Sequence, residues 1–204
     1  MPPLRSRRPR FSALLIGLSL LLTPSVFAQR GALTVHRSLG EMVQEAGTIV
    51  HGSVVSAKVE AHPQLSNLTT VLVTMNVQET LKGKAGKTFQ FRQYIWDVRD
   101  RLDAAQYAKG QELVLLLTPV SQYGLSSPVG LEQGRFEVRK DSAGRVTAVN
   151  GKANLALFQS SEELRRPQAG PLLQQSLRPT PDASARPLPL ADLKAAIRNL
   201  REAK

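Results

Sequence analysis

The sequence predicts a mainly β domain, preceded by a short helix and followed, after a Pro-rich linker, by an amphipathic C-terminal helix. Three observations carry this. Between residues 48 and 150, short runs of β-branched and apolar residues are separated by Gly-, Asp- and Lys-containing turns. Six of the 13 prolines fall in RRPQAGPLLQQSLRPTPDASARPLP, which shows no apolar period and reads as extended or disordered chain. The closing LADLKAAIRNLREAK regains a helical period, with Leu190, Leu193, Ile197 and Leu200 on one face and Lys194, Arg198 and Arg201 opposite.

In chain order, residues 1–28 come first. MPPLRSRRPR is basic, FSALLIGLSLLL is apolar and TPSVFA ends in small residues, the three-part layout of a signal peptide cleaved after Ala28. An uncleaved anchor is the rival, but the apolar run falls short of the ~20 residues a spanning helix needs. Arg7-Arg8 also raises twin-arginine export; Phe11 is one place late for it, so general secretion is expected. Ser38 and Glu41 form a capping-box spacing that starts a helix over 39–46. TIVHGSVVSAKVEA is a strand buried partly on both faces, with Gly52 a bulge or bend. LTTVLVTMNVQE and TFQFRQYIW alternate as a hairpin. Residues 97–112 read as a polar loop with one helical turn, LVLLLT as a central strand, and GRFEVRK and RVTAVN as strands joined by the Asp141–Gly144 turn. The organisation is a leader at 1–28, a β domain at 29–159, a linker at 160–188 and a helix at 189–204. That helix either docks on its own domain or, on its tether, meets a membrane or partner.

The chain holds 27 basic and 16 acidic residues, and removing the leader's four arginines leaves a charge of +7. This allows attraction to nucleic acid, anionic lipid or acidic polysaccharide without specifying one. The absence of cysteine excludes disulfides, Cys-zinc sites and thiol chemistry, so stability rests on a packed core.

LKGKAGKT at 81–88 ends like a phosphate-binding loop, but Leu81 stands where such a loop needs its first glycine, and a strand rather than a helix follows. No nucleotide is expected here. Gly83 and Gly86 read as turn residues with positive φ, and Lys82, Lys84 and Lys87 as a solvated basic turn. His36, His51 and His62 have no metal-ligand spacing, so neither metal nor cofactor is expected. Asp97, Asp100 and Asp103 recur every third residue, a solvated acidic face balancing Arg99 and Arg101; as catalytic carboxylates they are the only basis for a hydrolase reading. Gly124-Leu125-Ser126-Ser127-Pro128 lacks the nucleophile-elbow pattern. The few aromatics gather near arginines: Arg92, Tyr94, Trp96, Arg99 and Tyr123 are the candidate partner-binding set, a stacking and cation–π surface.

The order of segments SLGEMVQEAGTIVHGSVVSAKVE, TTVLVTMNVQETLKGKAGKTFQFR, YAKGQELVLLLT and PVGLEQGRFEVRKDSAGRV resembles that of a family of uncharacterised exported bacterial proteins. Their patterns run A-D-x-I-V-x-G-x-V, T-x-V-x-x-x-V-x-E-x-L-K-G, G-E-x-x-L-L-F-L and V-G-x-x-Q-G-x-F-x-V. The match spans about Ser38 to Val146, and Gly47 departs from it where the family usually has Asp. That family is similar in outline to netrin-like modules and tissue inhibitors of metalloproteases, which implies an OB-like five-stranded barrel. For Trp96 the rival to the stacking surface is a plug at one end of a barrel. The inhibitors chelate a zinc through an N-terminal cysteine, a mechanism this cysteine-free chain does not share. The resemblance implies a binding habit, with an exported protease as one class of partner.

The expectation is a periplasmic or secreted bacterial protein, a monomeric non-enzymatic module that binds an envelope or secreted protein. A polyanion or membrane-surface binder acting through its basic surface is the alternative, and no specific nucleic-acid recognition is read.

Overall fold

The computed structural model describes residues 35–95, 106–160 and 187–202. Helix α1 (Leu39–Glu45) starts as its spacing predicts: the Ser38 hydroxyl accepts from the Glu41 N–H at 3.2 Å, and the Glu41 carboxylate accepts from the Ser38 N–H at 2.7 Å. Each satisfies a donor the helix start would leave open. The other end of α1 is held by Lys82, whose Nζ donates to the carbonyls of Val43 (2.7 Å) and Gln44 (3.2 Å). A cation there complements the helix dipole. The expectation of three solvated lysines is therefore corrected for Lys82, while Lys84 and Lys87 are exposed.

Seven antiparallel strands follow: β1 (Thr48–Ala61), β2 (Thr69–Lys82), β3 (Thr88–Tyr94), β4 (Glu112–Leu117), β5 (Arg135–Lys140), β6 (Val146–Asn150) and β7 (Leu188–Pro189), with helix α2 (Leu190–Glu202) after them. Their order across the sheet is β3-β2-β1-β4-β5-β6-β7. The protein is thus mainly β with a helix at each end of the described chain. The sheet is open and seven-stranded, however, where the resemblance implies a closed barrel of five. Among the described residues the free side of β3 meets a short segment through a parallel bridge between Arg92 and Leu125. Leu188, assigned from sequence to the linker, pairs with Ala148 in the sheet; residues 161–186 of that linker lie outside the described residues.

Close approaches explain two glycines. The β1–β2 register shifts between His51 and Gly52, and a Cβ on Gly52 would collide with the Asn76 carbonyl oxygen. At Gly47 a Cβ would stand 2.8 Å from the Pro119 Cα, so the Asp usual in the resembled family has no room here. In the β2–β3 loop Gly83 has a φ of +78°, as expected of a turn glycine, whereas Gly86 lies outside the left-handed region.

The sheet is covered on both faces. Ile49, Leu81, Val114, Leu116 and Phe136 pack with Leu39, Met42 and Val43 of α1 and with Leu193 and Ile197 of α2. On the opposite face Val50, Val54, Val71, Val73, Met75, Phe91, Leu113, Leu115 and Leu117 form a second core. Strand β4 therefore serves both, and Leu113 to Leu117 are each no more than 1% exposed. An unbroken apolar run is what a strand buried on both faces requires. Helix α2 docks on its own domain, with Leu193 and Ile197 fully buried.

The stretch Val129-Gly130-Leu131-Glu132-Gln133-Gly134 is a clamp built on the buried Gln133. Gln133 Nε2 donates to the Val35 carbonyl at 3.0 Å and its Oε1 accepts from the Arg37 N–H at 2.9 Å, so one amide fastens the segment leading into α1. Asn150 Nδ2 donates to the Gln133 carbonyl at 3.0 Å, and Asn154 Nδ2 to the Ala148 carbonyl at 2.9 Å. Buried amides are tolerable when their hydrogen bonds are met in this way.

Candidate functional site

The end of β3 and the loop from Thr118 to Leu131 enclose a cleft of about 400 Å³. The loop keeps its shape through its own polar groups. The Ser126 hydroxyl donates to the Thr118 carbonyl at 2.8 Å, the Thr118 N–H donates to the Ser127 carbonyl at 2.9 Å, and the Ser121 N–H donates to the Leu125 carbonyl at 2.8 Å. Gly124, at a φ of +72°, allows the reversal at the tip. Two outside ties fix the loop to the domain. The Ser126 N–H donates to the Arg92 carbonyl at 2.8 Å, and His62 Nε2 donates to the Tyr123 carbonyl at 2.7 Å. His62 Nδ1 meanwhile accepts from the N–H groups of Gln64 (3.2 Å) and Leu65 (3.1 Å), which fixes the ring as the Nε2–H form.

Tyr94, Pro119, Tyr123, Leu125 and Leu131 supply the apolar part of the lining, with Gln93, Thr118 and three serines as its polar part. Among the described residues the lining contains no Asp, Glu, His, Lys or Arg. Tyr123 is 48% exposed and Val120, on the same loop, 69%. The arrangement suits a neutral, partly aromatic group and offers no acid–base pair.

Of the five expected partner-binding residues, Tyr94 and Tyr123 come together here. Arg92 does not join them as a ligand: its guanidinium donates to Thr70 Oγ1 at 2.8 Å and to Glu60 at 2.7 Å, with the side chain 13% exposed. The hydrogen bond from Arg92, with a second from Lys58, holds the Glu60 carboxyl below its ordinary range. Arg92 is thus a tie among β1, β2 and β3, while its carbonyl anchors the loop. Trp96 and Arg99 lie outside the described residues, as do Asp97, Asp100 and Asp103. Tyr107 is in the core, edge-on to Phe91 at 5.6 Å, and burial pushes its phenol above the usual range. The cation–π contact present is Arg135 over Tyr107, 5.8 Å from the ring centroid.

Sequence reasoning did not identify the Thr118–Leu131 half of the cleft, apart from Tyr123. The sequence signal available was a loop dense in Ser, Tyr and Gly between two Pro residues, Pro119 and Pro128.

The three histidines stay apart. His36 bonds the Gln159 carbonyl at 3.1 Å, and His51 lies beneath α2, where its Nε2 donates to Glu112 at 2.7 Å. No group of three or more His, Cys, Asp or Glu side chains among the described residues could hold a metal ion. No helix among them is long and apolar enough to cross a membrane. No known protein family, curated protein or solved structure matches the chain.

Proposed function

We propose that this chain is an exported, non-enzymatic binding module whose cleft between β3 and the Thr118–Leu131 loop receives an apolar or aromatic side chain of a protein partner. The observation that carries this reading is the lining: two tyrosines, two leucines and a proline around about 400 Å³, with no charged side chain among the described residues. Clefts of 300–1,000 Å³ with such linings are the usual form of binding sites, and Tyr is enriched where partners dock. Export rests on the basic, apolar and small-residue sequence of residues 1–28. An envelope or secreted protein is then the class of partner, an exported protease included by analogy with the resembled inhibitors. The bridge from Arg92 to Leu125 lays the Thr118–Leu131 loop along the free edge of β3 without joining that edge to β5.

The test is affinity capture from envelope extract with the wild type and with Tyr123→Ala. One specific partner retained by the wild type and weakened at least tenfold by the substitution is expected, since exposed aromatic anchors carry much of an interface's energy. Equal recovery by both proteins would sink the assignment of the site.

A second reading rests on the β2–β3 loop, where Lys84 and Lys87 are exposed in a mature chain of +7. It makes the protein a polyanion or membrane-surface binder. Retention on heparin or anionic vesicles should then fall steeply with salt; retention that is flat across salt excludes it.

A further inference from the structure

Beneath α2, five ionisable groups from four elements converge. Glu79 on β2 pairs with Lys194 at 2.9 Å and with Arg198. Its register neighbour on β1, His51, is 3% exposed and donates from Nε2 to Glu112 of β4. His51 Nδ1 is buried and has no hydrogen-bond partner among the described residues. A second proton on this ring would therefore be unbonded and close to the Lys194 ammonium, which opposes it. Leu193 and Ile197 of α2 are fully buried and Leu190, Ala196 and Leu200 pack partly buried against the same core; the ionic contacts to Glu79 add to that packing in holding the helix.

We propose that His51 and Glu79 form a pH-sensitive latch that holds α2 on the sheet at neutral pH and releases it on acidification.

Two steps with opposite chemistry and the same sign follow. Burial first, and Lys194 second, hold His51 below its ordinary value of 6.5, against the opposing pull of Glu112 and Glu79. Between 6.5 and the lower docked value, the undocked state binds more protons. Docking is thus complete above about pH 6.5 and weakens as pH falls below it, by at most tenfold per pH unit for one proton. For Glu79, burial raises the carboxyl, but the hydrogen bonds from Lys194 and Arg198 outweigh it and the net direction is downward from 4.5. Its contribution is present above about pH 4.5 and is lost as pH falls through the docked value.

The full-length chain contains no cysteine, so introduced pairs give unique labels. Spin labels at Asn199→Cys on α2 and Ala143→Cys on the β5–β6 turn, both exposed sites, report docking; a Gln90→Cys and Ala143→Cys pair reports the sheet. Distances would be measured by pulsed electron resonance from pH 7.5 to 4. The expected result is one distance at pH 7.5 and a second, longer population growing below pH 6.5, while the sheet pair keeps a single distance. His51→Gln, with His51→Asn as the alternative should Gln fail to fold, should remove the upper step and leave the lower one. Glu79→Gln should do the reverse. Persistence of the upper step in both His51 variants would overturn the latch, as would a sheet pair that broadens at the same pH as the helix pair.

Discussion

The helix-covered face of the sheet and the cleft at the end of β3 solve opposite problems. Beneath α1 and α2 the chain buries His51, partly buries Glu79, Lys194 and Lys82, and gives each a partner: Glu79 with Lys194 and Arg198, His51 with Glu112, and Lys82 with the end of α1. At the cleft on the end of β3 the chain leaves apolar surface uncovered, and the described residues that line it carry no charge. Buried charge is costly unless paired, so the helix side reads as attachment. Exposed Tyr and Val on a loop fixed by hydrogen bonds to its scaffold add nothing to packing and read as a surface kept for contact.

The largest expected effect tests the claim that the helix face is the structural one. Phe136 is fully buried against both helices, and Phe136→Ala should cost about 3–5 kcal/mol in urea unfolding, cavity included. A loss under 1 kcal/mol would mean that the helices add little to the fold. Next comes Gly52→Ala, where the colliding atom is backbone and cannot swing aside; a loss of about 1–3 kcal/mol is expected, since the β1–β2 register must shift to admit the methyl. At the cleft, by contrast, Tyr123→Ala should change stability by no more than about 0.5 kcal/mol while removing binding. A large loss of stability there would erase the distinction between the helix face and the cleft.

How far the sequence reveals this division depends on the range of each interaction. The α1 capping box, the bulge at Gly52 and the doubly buried β4 are written in neighbouring residues, and each stands where its local pattern places it. The open seven-stranded order is not local. Nothing near Leu188-Pro189 marks a strand, because a two-residue edge pairing needs no alternation and an edge tolerates proline. Arg92 looks like a free cation in sequence because its partner, Glu60, arrives from another strand. Half the cleft was legible in Tyr94 and Tyr123, and the rest depended on where the Thr118–Leu131 loop returns to β3. His51 carries no signal at all in the sequence, since its burial depends on a helix that begins 139 positions later.

The smallest expected effect separates residues that look identical in LKGKAGKT. Lys82 donates to two carbonyls at the end of α1, whereas Lys84 and Lys87 are exposed. A cation at a helix C-terminus contributes about 0.3–1 kcal/mol, more when partly buried. Lys82→Met, which keeps much of the aliphatic stem and removes the charge, should lower stability by about 1 kcal/mol. The double variant Lys84→Ala/Lys87→Ala should leave stability within about 0.5 kcal/mol of wild type. Heparin retention should move the other way: reduced by the double variant if the polyanion reading holds, and little changed by Lys82→Met, whose ammonium is already engaged. Equal effects of both variants on both measurements would mean that the loop lysines act as one charged surface and that the cap at α1 contributes nothing.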